Sequence, residues 1–342
     1  MRQTRLISLR DAHEALIASA SGVVHLETMP LLQARGLVLA DDVVAPADVP
    51  HSPRALRSGY AVKAADTLDA SVMSPIQLPS LPALVTANQE LSPETDAILP
   101  HHAVRLAGPE AQALATAIPW DHVRRRGEDA ARGQVLLASG AALTGTRLAA
   151  LEALGVTSVT VKWPRIALCN CDGNGTAVWL KQLVCAWGGL VSEDRAKEDA
   201  IAITDSPAQT DITTSIALQP GLGEAQLCIE AGRPPVIMLP KRTEASLALA
   251  YAVLLPVLDR LTGRLEPRAM LSLPIVEKIA VSPGVSNLAL LARNATTWRV
   301  LAVGDLPLSD WVRADGFALL GPECEGLPPG APLNAQLMSD SR

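Results

Sequence analysis

The sequence predicts a multi-domain fold of α/β plus β class, with an open α/β domain, a small β-rich domain ahead of it and a β module behind. Three observations carry this. Residues 158–191 and 230–263 each read as strand, loop and helix, the unit of an open parallel sheet. Between 67 and 121, short apolar runs are broken by Pro, Ser and Asn. From 266 onward, short strand-like runs alternate with Pro and Gly. A chain of 342 residues exceeds one small core, so two to four domains are expected.

Taken in order, "SLRDAHEALIASA" (8–20) reads as a helix capped by Ser8, with Leu9, Ala12, Leu16 and Ile17 as its apolar stripe. "MPLLQARGLVLADDVVAP" (29–46) reads as a short helix, a stop at Gly36 and a strand running to Pro46. "ADVPHSPRALRSGYAVKAAD" (47–66) opens as proline-rich extended chain and enters a strand near "GYAVKA". Residues 127–156 return to turn, strand and helix. In 158–191 a strand is broken at Pro164, and a second strand leads through "CNCDGNG" into a helix. In 230–263 a strand leads through "LPKRTE" into another. Both loops fall at carboxyl ends of strands, where open α/β sheets bind ligands.

Bulk composition narrows the function. A hydrophobic fraction of 49% and mean hydropathy of +0.23 indicate a packed globular chain. No apolar run is expected to span a bilayer, and the N-terminus lacks the pattern of a secretory signal, so a cytoplasmic location is expected. A net charge of −6 argues against a general nucleic-acid binder. "HVRRRGED" (122–129) is the best local basic patch, and anionic small molecules stay open as ligands. The five cysteines, Cys169, Cys171, Cys185, Cys228 and Cys324, do not read as a disulfide framework. Cys169 and Cys171 could hold a soft metal, but no second Cys or His pair sits at a usual zinc spacing. Two small thiols on one face of a core strand is the plainer reading.

The order of parts resembles the MoeA family of molybdopterin molybdenumtransferases, which includes the gephyrin E domain. The segments that carry the resemblance are "PLLQARGLVLADDVVAPADVP", "SGYAVKAAD", "RRRGEDAARGQVLLASGAAL" with "LEALGVTSVTV", and "WVRADGFALLGPECEGLPPGAPL", in that order. The resemblance implies an elongated protomer that forms a homodimer. It implies an N-terminal and linker domain (1–50 with 130–162), an inserted β-rich domain (51–129), a shortened, MogA-like open α/β domain (163–265) and a C-terminal β domain (266–342). It implies molybdopterin or the finished molybdenum cofactor as ligand, molybdenum insertion as activity, and a molybdoenzyme or another cofactor-biosynthesis protein as partner. A magnesium ion is a weaker implication, because the family's acids are altered here.

Residue by residue, the family's "DRSAMDGYA" corresponds to "PRALRSGYA". Arg54, Gly59 and Tyr60 are kept, while Pro53 and Ser58 stand at the aspartate positions. Thr86 matches the threonine of "TGA". The "RGED" turn is intact as Arg126, Gly127, Glu128 and Asp129. "STGDEL" corresponds to "NCDGNG", which leaves Asn170, Asp172, Gly173 and Gly175 as an altered ligand loop at a helix N-terminus. "SGGVSVGD" falls near 203–211 with both glycines lost, "KPGKP" becomes "QPGLG" (219–223) without its lysines, and "GLPGNP" becomes "MLPKRT" with Lys241 and Arg242. The resemblance therefore implies Asp129, Glu128 and Lys241 as catalytic residues. It implies Arg54, Tyr60, Thr86, Arg126, Asn170, Asp172, Gly173, Gly175 and Arg242 as cofactor-binding residues.

Other readings stand beside these. Arg124–Arg126 with Glu128 and Asp129 fit a solvated charged turn as well as an anion-binding or interdomain site. Lys241 and Arg242 fit an exposed loop, although cations ahead of a helix oppose its dipole. His101 and His102 read as surface residues, and Asp315 as a turn former. Molybdate and a phosphorylated pterin repel one another, so fewer fixed cations point to a divergent insertase, to a carrier that binds cofactor without turnover, or to a dimeric scaffold with an empty cleft.

Overall fold

The computed structural model describes residues 5–20, 24–169, 176–193, 196, 199–205 and 214–338. The chain folds into two compact units. One comprises Met1–Asp41, Ser139–Thr144 and Ser158–Arg342, and the other comprises Asp42–Ala138 and Gly145–Thr157.

The larger unit is built on a seven-stranded sheet. Strands Leu190–Ser192, Arg165–Cys169, Ile201–Thr204 and Val236–Met238 run parallel. Gln226–Cys228 then pairs antiparallel with both Val236–Met238 and Thr214–Ile216, and Arg5–Ile7 closes the order in parallel with the latter. The sheet is thus mixed, which corrects the all-parallel expectation: "EAQLCIE" pairs back against its neighbour instead of crossing over. Alternation sorts the side chains. Ile166, Leu168, Ile201, Ile203 and Ile237 join the main core, and Ala167, Ala202, Cys228 and Val236 form the opposite face. Leu190–Ser192 and Ile201–Thr204 flank Arg165–Cys169 and run the same way, yet only residues 193–200 connect them. Such crossovers ordinarily take a dozen residues or more, usually including a helix.

Helix Leu9–Ala20 begins as expected, with the Asp11 N–H donating to Ser8 Oγ at 3.1 Å. Leu9, Ala12 and Leu16 are buried and Ile17 half-buried. The helical run Thr243–Thr262 is apolar and long enough to cross a membrane by length and composition, which corrects the expectation that no such run exists. It is a core helix, 72% buried in its most apolar stretch. Its middle, Ala250–Leu254, is a π turn, and Pro256 follows at once. In an α-helical ladder the N–H of residue 256 would serve the Ala252 carbonyl, and proline has none. His13 Nε2 reaches that carbonyl at 2.7 Å instead. After the helix, five strands from Met270–Pro274 to Pro332–Leu337 form the C-terminal sheet, which Leu218–Gln219 joins in parallel with Ser286–Asn294. There Asp315, exposed, accepts the Arg293 N–H at 2.7 Å.

The smaller unit contains short antiparallel sheets, as the broken apolar runs predict. Gly59–Val62 is the centre of one, between Ala83–Val85 and Ala97–Leu99. Glu110–Ala113 is the centre of another, between Val104–Ala107 and Ile76–Gln77. Arg54–Ala55 pairs with Val123–Arg124, and Val43–Val44 with Val135–Leu137. Helix Gly145–Ala153 also belongs to this unit.

Candidate functional site

A cavity of about 780 Å³ lies in the smaller unit. Its charged lining is Arg54, Arg124, Asp129 and His51, and its apolar lining includes Leu56 and Leu154. The two arginines come from the shortest of ladders. Ala55 and Val123 are directly opposite and point into a core with Ala61, Val85 and Ile98. Alternation then turns their neighbours Arg54 and Arg124, also register partners, to the other face. Arg54 Nη1 donates to the Asn88 carbonyl at 2.8 Å, and Asn88 holds a φ of 69° to present it. Arg124 Nη1 donates to Asp129 Oδ1 at 2.7 Å.

The "RGED" turn hangs on residues 48–50. The N–H groups of Gly127 and Asp129 donate to the Pro50 and Val49 carbonyls, both at 2.9 Å. Asp48 accepts from Arg126 Nε and from the Arg132 N–H, each at 2.9 Å. The Arg132 N–H, then the Arg126 guanidinium, hold its carboxyl below the ordinary aspartate range. Glu128 accepts the Arg125 N–H at 2.6 Å, and Arg125 lies over the Trp120 ring at 5.1 Å. Trp120 and His122 adopt φ values of 69° and 58°, a region that favours glycine or asparagine.

Of the residues expected at a site, Arg54 and Asp129 line the cavity. Arg126 and Glu128 shape the turn behind it. Thr86, exposed, precedes the lining residues Ala87 and Asn88, and its N–H donates to Gln89 Oε1 at 3.0 Å. Tyr60 is half-buried in its strand, edge-on to exposed His101 at 5.5 Å. Lys241 and Arg242 belong to the larger unit, just past the carboxyl end of Val236–Met238. Arg242 pairs with Glu224 at 3.0 Å and Glu244 at 3.1 Å, and the hydrogen bond to Glu224, ahead of the other contacts, raises its pKa. Lys241 is exposed. Asn170, Asp172, Gly173 and Gly175 lie outside the described residues, as does Cys171, while Cys169 ends its strand half-buried.

Sequence reasoning named Arg124 only as part of the charged 124–126 run, and it missed the lining residues His51 and Asn88 and the turn residue Asp48.

A family model described as the MoeA N-terminal region, domains I and II, matches residues 7–155, which include every residue lining the cavity. Over residues 7–155 the chain is similar to the MoeA family. Molybdopterin molybdenumtransferase 2 of Mycobacterium tuberculosis is 33% identical over 166 residues, covering 44% of this chain and 41% of the relative. Molybdopterin molybdenumtransferase of Synechococcus elongatus is 29% identical over 180 residues, covering 47% and 44%. The chain thus spans less than half the length of these MoeA relatives in sequence. The fold reaches further. A crystal structure of a molybdopterin biosynthesis moeA protein from Pyrococcus horikoshii aligns with a TM-score of 0.78 at 19% identity, over 97% of this chain and 100% of that one. A second moeA crystal structure from that organism gives 0.74 at 21% identity.

Among the described residues, no three His, Cys, Asp or Glu side chains cluster as a metal site. Asp129 and Asp48 are each paired with an arginine. These donors do not fit a resident magnesium ion.

Proposed function

We propose that the protein acts in molybdenum-cofactor biosynthesis by binding molybdopterin, adenylylated or as the finished cofactor, in the cavity of its smaller unit. The observation that carries the reading is the arginine pair. Like charges directly opposite one another in a ladder destabilise it, and here both guanidinium groups face one cavity with a single carboxylate between them. An anion bridging Arg54 and Arg124 removes that repulsion through charge-assisted hydrogen bonds. The apolar wall at Leu56 and Leu154 suits the body of a planar ring.

Binding without turnover, as a carrier to a molybdoenzyme, is the form of the proposal that charge favours. In the cavity Arg124 already faces Asp129, which leaves the arginine pair little charge to hold molybdate as a second anion. Molybdenum insertion is the second reading. Exposed Lys241, at the ligand-binding edge of the sheet, supports it as the group that would receive molybdate. In that reading Asp129 and Glu128 would act on substrate only after leaving Arg124 and the Arg125 N–H. A homodimer, a cytoplasmic location and the four-domain division belong to the same proposal.

The test is to purify the protein from a cofactor-producing host, release and oxidise bound pterin, and measure its fluorescence together with molybdenum content. Wild type should carry pterin, and the Arg54→Gln/Arg124→Gln variant should carry little. Absence of pterin from wild type, with no binding of added molybdopterin, overturns the proposal. Molybdate-dependent loading by the isolated protein would select insertion over carriage.

A further inference from the structure

We propose that Asp129 sets the charge preference of the cavity, restraining its affinity for dianions more than for singly charged oxyanions. This rests on reading the cavity as an anion site.

Arg54 and Arg124 stand opposite one another, and each gives one nitrogen to a protein acceptor, the Asn88 carbonyl and the Asp129 carboxylate. Their remaining N–H groups are the donors open to a ligand. Asp129 is itself in the cavity lining, with its side chain 36% exposed. An oxyanion that bridges the two guanidinium groups therefore comes to rest within a few ångströms of a fixed negative charge. The attraction of the arginines and the repulsion of Asp129 both scale with the charge of the ligand. The other acids of the turn do not share this position. Asp48 is held by Arg126 and the Arg132 N–H, Glu128 by the Arg125 N–H, and neither lines the cavity. His51 is the remaining titratable group that does. Asp129 thus acts as a built-in counter-ion. It keeps Arg124 in place without a ligand and penalises a free tetrahedral dianion twice as heavily as a phosphodiester. Its effect is to narrow the advantage that the two arginines give a dianion over an organic phosphodiester or another oxyanion with one charge per group.

The probes are dimethyl phosphate, a singly charged phosphodiester, and sulfate, a dianion of similar shape. Affinities for wild type, Asp129→Asn and Arg54→Gln/Arg124→Gln are measured by calorimetric titration at low ionic strength, with thermal melts to check folding. Asparagine keeps an oxygen that can accept from Arg124 and removes only the charge. Because the repulsion doubles with ligand charge, Asp129→Asn should bind dimethyl phosphate about threefold tighter than wild type and sulfate about tenfold tighter. Equal gains for the two probes, or no gain while wild type binds, would overturn the role of Asp129 and leave the anion site standing. Failure of wild type and Asp129→Asn to bind either probe, or unchanged binding by the double arginine variant, would overturn the anion site itself.

Discussion

At Gly59 a single methyl group decides whether the central strand of its sheet fits. A Cβ there would lie 2.4 Å from the Leu99 carbonyl oxygen and 2.7 Å from Ile98 Cγ2. The backbone oxygen cannot step aside without disturbing the pairing of Gly59–Val62 with Ala97–Leu99. Gly59→Ala should therefore cost about 2–3 kcal/mol of stability, read as a lower denaturant midpoint. An unchanged midpoint would mean that the sheet accommodates the methyl group. The same residue-by-residue accounting explains what the sequence disclosed about the site. Arg54 and Asp129 could be named because their segments, "PRALRSGYA" and "RGED", resemble those of the MoeA family. Asp48 could not, because its importance arises from Arg126 and the Arg132 N–H, 78 and 84 positions away. No local pattern records a bond of that separation.

Among the elements, the helical run Thr243–Thr262 carries the clearest pH dependence. His13, on Leu9–Ala20, donates from Nε2 to the Ala252 carbonyl, so the neutral ring must carry its proton there. Burial lowers the His13 pKa below its ordinary value; the bond to Ala252 opposes this, and Arg260 adds to the lowering. The folded protein therefore binds fewer protons than the unfolded chain between the lowered pKa and the ordinary one. Its contribution is present above about pH 6.5 and is lost as pH falls through the folded value. Denaturant midpoints measured from pH 7.5 downward should fall over that window for wild type, and less steeply for His13→Gln, which keeps an N–H donor. Parallel slopes would assign the acid sensitivity to other groups. The helix itself was legible from its apolar run. Its π turn was not, because it depends on Pro256 meeting a histidine from another helix.

For the molecule as a whole, sequence likeness and fold likeness have different reach. Curated relatives match 40–47% of the chain, whereas solved MoeA structures align over nearly all of it. The strand–loop–helix alternation was enough to read an α/β layer in the diverged half. The antiparallel strand Gln226–Cys228 was beyond that reading, since strand direction follows from long-range pairing and leaves no periodic trace. The paired arginines also bear on how the protein is handled. Phosphate or sulfate in a storage solution should raise the melting temperature above that in sodium chloride, and by more for wild type than for Arg54→Gln/Arg124→Gln. General salt effects would lift both equally. Extraction in phosphate would then displace whatever the cell had loaded, so a native occupant is best sought in a zwitterionic buffer.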